Sequence, residues 1–424
     1  MNLFKKYKDI FIDEPNKLSL FLLGIFSFTL PLYQIISTLI LLLLVIVSVI
    51  KLISNTYYKL YSAYIWPILL YFIIIISLLV FENFEIRYVQ HRASLIAMPL
   101  VFCTLRTNQQ QFEKLLLYFV NGSFVSLLIC YGNAFYNSIS FSSGKILFQP
   151  AVNNEFSFFY SVVRDGNYFF SSFFSILHDS TYMAIYINFA ITIILSFSLW
   201  KKNKIYLVFL FLFILCIFQL SSKIAIFITF VIICYYFVLK VNKKSLKTLT
   251  LVITISVGLL FFSQNPRGKV MIDTFIKEGI KINPTERFGY ALRLMSWDAS
   301  IELVKEYPLT GVGISNVQKV LNVKYQNKSY TTPLEQNLNS HNQYLQIILE
   351  TGISGFILII LMQLSLFKKV SLNKIVGQQY LILMFLFSVS VSFLFESMFN
   401  RYSGLVFFMF IYCMIINNSE YRKI

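Results

Sequence analysis

The sequence predicts an all-α fold, a polytopic bundle of membrane-spanning helices, on three observations. Of the 424 residues 57% are apolar and only 13% charged, against about 45–50% and about 25% in soluble domains. A soluble fold would leave too many Phe, Ile and Leu side chains in water. The apolar residues also come in continuous runs, such as Ile35 to Ile53, without the period-2 alternation of a membrane barrel. Finally, most runs approach the length a helix needs to cross a bilayer, about 17–25 residues. Backbone groups in lipid satisfy one another only in helices or closed barrels, so unbroken runs mean helices.

In chain order the runs give twelve spans: 18–32, 35–53, 61–81, 93–105, 115–136, 180–200, 205–220, 223–240, 248–262, 344–367, 377–395 and 402–417. The first has a basic leader, but the next span follows at once, so it reads as an uncleaved helix. The fourth is short and lies between Arg92 and Arg106. Ahead of the tenth stands Ser340-His341-Asn342-Gln343. Ser340 with Gln343 three residues on is a capping-box pattern, which puts His341 in the first turn of a membrane helix. Residues 1–424 thus form one integral membrane domain with two long connections, 137–179 and 263–343. In the second, Leu294, Trp297, Ile301 and Val304 recur at helical spacing with Asp298, Glu302 and Lys305 opposite. That pattern predicts an amphipathic helix lying at the membrane interface or capping the bundle. Pro308 ends it, and Gly311-Val312-Gly313 turns the chain.

The net charge is +17, from 36 basic and 19 acidic residues. No basic domain is interleaved with aromatics, so a nucleic-acid partner is excluded; the cations cluster instead between apolar runs. With the N-terminus inside, the cytoplasmic segments hold twenty basic residues against five acidic ones, and the remainder sixteen against fourteen. This is the positive-inside pattern. It predicts N-in, C-in topology with both long connections periplasmic. The five cysteines (Cys103, Cys130, Cys216, Cys234, Cys413) fall inside apolar runs and read as small buried hydrophobes.

No phosphate-binding GxxxxGK[ST] loop, HExxH, zinc-spaced Cys/His set or Asp-x-Asp appears, so no metal or other cofactor is expected. The candidates are polar and cationic groups at the outer boundary. At a helix N-terminus the dipole disfavours imidazolium, which would keep His341 neutral and able to accept a proton. The alternative is a polar helix end facing water. Among Arg87, Arg92, Arg164, Lys223, Arg287, Arg293 and Arg401, Lys223 stands out. Its short turn, Ser221-Ser222-Lys223, directs it either into the bundle or to lipid headgroups. Arg293 precedes the amphipathic stripe, and Glu396 and Arg401 bracket the last outer turn, where they read as a pair. Several such arginines over one bundle mouth would grip a pyrophosphate bidentately.

Taken in order, four elements resemble the signature of the O-antigen ligase and polymerase superfamily. They are Arg293-Leu294-Met295-Ser296-Trp297, Tyr307-Pro308-Leu309-Thr310-Gly311-Val312-Gly313, Ser340-His341-Asn342-Gln343-Tyr344-Leu345 and Glu350-Thr351-Gly352. The resemblance covers about 260–420. Two positions depart from it: Asp179 replaces the proline of a His-Pro-x-Tyr element beginning at His178, and Ser222-Lys223 stands where the family often has Ser-Arg. The resemblance implies a bacterial inner-membrane glycosyltransferase that works without a metal and with inversion on the periplasmic face. Its donor would be a glycan on undecaprenyl pyrophosphate. Its acceptor would be lipid A core (a ligase, the favoured reading) or another repeat unit (a polymerase). The same resemblance makes His341 the base and puts Arg293, Lys223 and Arg164 on the pyrophosphate, with His178, Trp297, Asn342, Glu396 and Arg401 in support. A lipid-linked oligosaccharide flippase or other transporter also fits twelve spans. Against it stand the absence of internal repeats and of paired Gly/Pro-broken helices, and a long outer connection.

Overall fold

The computed structural model describes residues 15–418, apart from 55–57, 82–84, 106, 143, 154, 242, 280, 281, 283, 285–288 and 374. Arg106, Arg287, Lys374 and the terminal charges of the topology argument (Lys5, Lys6, Lys8, Asp9, Asp13, Glu14, Glu420, Arg422, Lys423) therefore lie outside the described residues. The helices run α1 Pro15–Thr29, α2 Gln34–Ile53, α3 Ile65–Val80, α4 Ile86–Arg92, α5 Ser94–Cys103 and α6 Gln109–Ser138. A hairpin of β1 Ile139–Ser142 and β2 Lys145–Phe148 follows. Then come α7 Ser180–Ser196, α8 Ile205–Leu220, α9 Lys223–Lys240, α10 Lys244–Gln264, α11 Pro266–Glu278, α12 Tyr290–Glu306 and α13 Val317–Asn327. The chain ends with α14 Gln343–Thr351, α15 Ile353–Leu372, α16 Val376–Phe395 and α17 Tyr402–Asn418.

The molecule is an all-α membrane bundle. Among the described residues seven helices are long and apolar enough to cross a bilayer: α2, α3 with the turn before it, α6, α9, α10, α15 and α16. Shorter apolar helices are α1, α7, α8 and α17. Helix α5 has ten residues, too few to span alone. Helix α6 begins six residues before the predicted 115 because Asn108 and Gln111 form a reciprocal capping box, a signal in the sequence that hydropathy alone passes over.

Helices α7 and α17 form the centre. Every residue from Tyr182 to Leu195 and from Ser403 to Asn418 is buried, as expected of helices that are apolar all round. Asparagines stitch this centre to its neighbours. Asn188 on α7 donates to Ala225 O (3.0 Å) and accepts from Thr229 (2.5 Å), which fixes α9. Asn417 donates to Phe102 O (2.8 Å) and accepts from Thr107 (2.6 Å). Such bonds are favoured between helices in lipid, where an unpaired amide has no water to turn to. At the periphery, no residue in the spanning stretch of α10 is buried, so that helix reads as lipid-facing along its length.

The helix expected over 294–304 is present as α12; it buries Met295, Ala299 and Leu303 with Ser296 and Ser300 and leaves Ile301 exposed. Asp298 and Glu302 on its polar side are covered by Lys328, at 2.7 and 2.5 Å. One expectation is corrected here: the tenth run, 344–367, is two helices broken at Gly352.

That break explains the glycine-rich motif. Gly352 adopts φ 71° and ψ −166°, a region open essentially to glycine alone. A Cβ there would run into Leu309 O, and one on Gly311 would strike the carbonyls of Leu349 and Ile348. Val312 N donates to Leu349 O (2.8 Å) and Ile353 N to Pro308 O (3.0 Å). The Pro308–Gly313 loop is therefore clamped backbone to backbone across the helix break. Gly352→Ala should cost at least about 1–3 kcal/mol from the backbone conformation, with the steric clash added. A thermal unfolding midpoint equal to wild type would contradict this.

Candidate functional site

One end of the bundle gathers the turns 221–222 and 396–401 with both long connections. There a cavity of about 340 Å³ is lined by Thr181, Ser222, Lys223, Arg267 and Arg293 among others. Each cation is placed by its own helix start. Ser222 caps α9, accepting from Ala225 N at 3.4 Å, and sets Lys223 as the first helical residue. Asn265, fully buried, accepts from Arg267 N (3.2 Å) and Gly268 N (3.3 Å) and donates to Phe218 O (2.8 Å). With Pro266 at the first helical position, it pins α11 against the end of α8 and brings Arg267 beside Lys223. Burial lowers the Arg267 pKa from its ordinary value.

Arg293 connects this cavity to a carboxylate and an imidazole. Its Nη2 lies 2.8 Å from Glu396 Oε1, and its Nε donates to Phe395 O at 3.2 Å. The other Glu396 oxygen, Oε2, is 3.6 Å from His341 Nδ1, just beyond hydrogen-bond length. Glu396 also lines a small void adjoining the cavity with Thr181 and Ser222. Burial pushes the Glu396 carboxyl up, but His341 and Arg293 outweigh it and hold the group below its usual value. A depressed folded-state pKa contributes stability that is present above the unfolded value and lost as pH falls through the folded one. The stability difference between wild type and Glu396→Gln should accordingly persist at neutral pH and shrink in acid below the usual carboxylate range. Thermal unfolding across pH measures it; a difference growing towards acid would contradict the assignment.

His341 does not sit in the first turn of α14. Asn342 is the cap, its Oδ1 accepting from Tyr344 N (2.9 Å) and Leu345 N (3.1 Å); Ser340 plays no capping role, and His341 precedes the cap. Its φ is +42°, a left-handed conformation uncommon outside glycine. Three contacts hold it there. Asn339 Oδ1 accepts from His341 N (2.8 Å) and from Ser397 Oγ (3.1 Å), and Trp297 Nε1 donates to His341 O (3.3 Å). Asn339 thus couples the imidazole loop to the turn beside Glu396.

The remaining predicted residues divide. Trp297 and Asn342 also line an apolar groove of about 460 Å³ with Tyr344 and Leu345. Arg164 is exposed, and it is Val163 that reaches the cavity lining; Arg267 is the cation found there beside Lys223 and Arg293. Arg401 is exposed, and Glu396 pairs with Arg293 instead. His178 is buried within the bundle, 3.2 Å from Ser403 Oγ and edge-on to Tyr186, and burial pushes its pKa down to about 4. It is a neutral packing group. Asp179, in place of the motif proline, caps α7 through Thr181 N at 2.9 Å.

Beneath the site Arg92 is buried against Glu350, its Nη2 2.9 and 3.0 Å from the two carboxylate oxygens and 2.7 Å from Asn400 Oδ1. Gln346 donates to Glu350 at 3.0 Å, and Gln343 accepts from Phe399 N at 2.6 Å. One face of α14 thereby anchors the turn that follows Glu396. Among the described residues no group of His, Cys, Asp and Glu could hold a metal ion. Compared with known proteins, residues 168–360 match the family model described as O-antigen ligase. That stretch includes Lys223, Arg267, Arg293 and His341 and stops short of Glu396. No curated protein matches the chain.

Proposed function

We propose a specific reaction for this chain on the premise that its residues 168–360 match the family model described as O-antigen ligase. It moves a glycan from undecaprenyl pyrophosphate to an acceptor sugar hydroxyl, without a metal, on the periplasmic face of the inner membrane. The observation that carries this reading is a run of contacts from the cavity lined by Lys223, Arg267 and Arg293 through Glu396, paired with Arg293, to His341 beside it. Three cations face the position of a pyrophosphate and neutralise the charge that grows as the glycosidic bond breaks. Arg293 also pairs with Glu396, which orients the imidazole through Nδ1 and leaves Nε2 to take the acceptor proton. A single displacement inverts the anomeric carbon. The 3.6 Å gap at Nδ1 suits an empty site, where catalytic contacts are often long and tighten on binding.

The charge asymmetry of the connections favours an N-in, C-in orientation with the cavity outside. Between the two acceptors, lipid A core remains the favoured one. The test is purified protein with a defined lipid-linked donor and with lipid A core and a second lipid-linked repeat as alternative acceptors. Transfer to the core, undiminished by a chelator and with inverted linkage, is the expected result. Elongation of the repeat alone would replace the ligase assignment with a polymerase. Loss of transfer on chelation would overturn the metal-free mechanism.

A further inference from the structure

Helix α6 carries a stripe of exposed apolar side chains, Tyr118, Leu128, Ile129, Phe135 and Tyr136, that faces lipid. Tyr118 and Tyr136 stand eighteen residues apart, about 27 Å of helix, close to the hydrocarbon thickness of about 30 Å. Tyrosines at that separation mark the two water boundaries. The chain leaves the helix at Ser138 and enters the β1–β2 hairpin without a linker, and Gln149 N donates to Ser138 O at 2.7 Å to close its base. In the antiparallel register Ile139 stands opposite Phe148 and Phe141 opposite Ile146, so all four share one face. They are 41, 56, 80 and 69% exposed in that order. Phe169 packs against both Phe135 and Phe148, with ring centroids 5.0 and 5.8 Å away. That bridge puts the apolar face of the hairpin on the same side as the lipid-facing stripe of α6.

We propose that the hairpin is a membrane-surface anchor, its four apolar side chains seated where headgroups meet acyl chains at the C-terminal end of α6. A lone two-stranded hairpin is marginal in water and needs cover for its apolar face. Continuity of that face with the stripe of α6 makes bilayer lipid the cover. Depth is limited by the backbone. Among the described residues the sheet has two strands, so each keeps an open outer edge, and open edges are not tolerated in hydrocarbon. The hairpin therefore stays at headgroup level, where water reaches its edges. Ser140 and Leu147 occupy the opposite face. Beyond the hairpin, Tyr168 N donates to Pro150 O (2.9 Å) and Val152 N to Gly166 O (3.1 Å). These bonds join it to the loop whose Val163 lines the cavity, so the same lipid contact steadies that wall. The anchor does not depend on the glycan reaction.

Full-length protein carrying Phe141→Trp or Ser140→Trp, reconstituted in phosphatidylcholine vesicles, tests the proposal once the emission of the native tryptophans is subtracted. Both positions are exposed, so neither change disturbs the core. Emission added by Phe141→Trp should be quenched by lipids brominated near the top of the acyl chain and stay out of reach of iodide. Emission added by Ser140→Trp, on the other face, should show the reverse. Adding Ile146→Asp to Phe141→Trp should abolish the bromine quenching and admit iodide, because a carboxylate on that face resists transfer out of water. Iodide quenching of Phe141→Trp without bromine quenching would leave the face in water. Quenching by neither would mean that another protein surface, such as a second copy, covers it. Either result overturns the proposal, as would equal bromine quenching at 140 and 141 or bromine quenching that survives Ile146→Asp.

Discussion

His341→Ala should lower the turnover of glycan transfer by about 10²–10⁴-fold while leaving the protein folded and inserted. The loss is that large because the proposed mechanism has one proton acceptor. The alternative carboxylate, Glu396, is held ionised by Arg293 but points both its oxygens at Arg293 and His341, away from an incoming hydroxyl. Stability should change little. Asn339 and Trp297 hold the backbone at 341 through its own N–H and C=O, bonds that alanine retains, and the imidazole side chain is 26% exposed. Single-turnover assays with a lipid-linked donor, beside a thermal melt, separate the two effects. A folded variant with wild-type turnover would remove His341 from the chemistry.

Arg92→Ala carries the largest expected effect on stability, about 3–5 kcal/mol. The side chains of Arg92 and Glu350 are 4% and 1% exposed, so deleting the guanidinium strands a carboxylate where little solvent reaches. Asn400 and Gln346 cannot neutralise it. Replacing both partners together, Arg92→Met with Glu350→Met, removes the stranded charge and should recover part of the loss, because a buried pair often contributes little over an apolar substitute. Thermal unfolding of the two singles and the double gives the comparison. A double variant as unstable as the sum of its singles would show that the pair acts independently of its charge. Since the same network fixes Phe399 and Asn400 beside Glu396, the single variant should also lose transfer activity at temperatures where it is still folded.

The helical class was legible because hydropathy is a local property, and so was the charge alternation between runs. Placement within the site was legible only where the partner was near in sequence. His341, Arg293 and Lys223 were found by motif and position. Arg267 was overlooked, although Asn265-Pro266 is a helix-start signal in its own right. Arg92 read as a flanking charge, because its partner is 258 residues away and no spacing rule reaches that far. Asn339 gave no signal, since its role rests on two turns meeting in space. Which face of α12 packs inward was not legible, because periodicity weighted by hydrophobicity favours Trp297 and Ile301 over the buried Ala299 and Ser300.

The left-handed backbone at His341 bears on how an inert form of this protein should be made. Asparagine adopts that conformation more readily than alanine and lacks an imidazole, so His341→Asn preserves the loop while disarming it. Loaded with its lipid-linked glycan, such a variant is the natural starting point for trapping the donor ahead of bond cleavage.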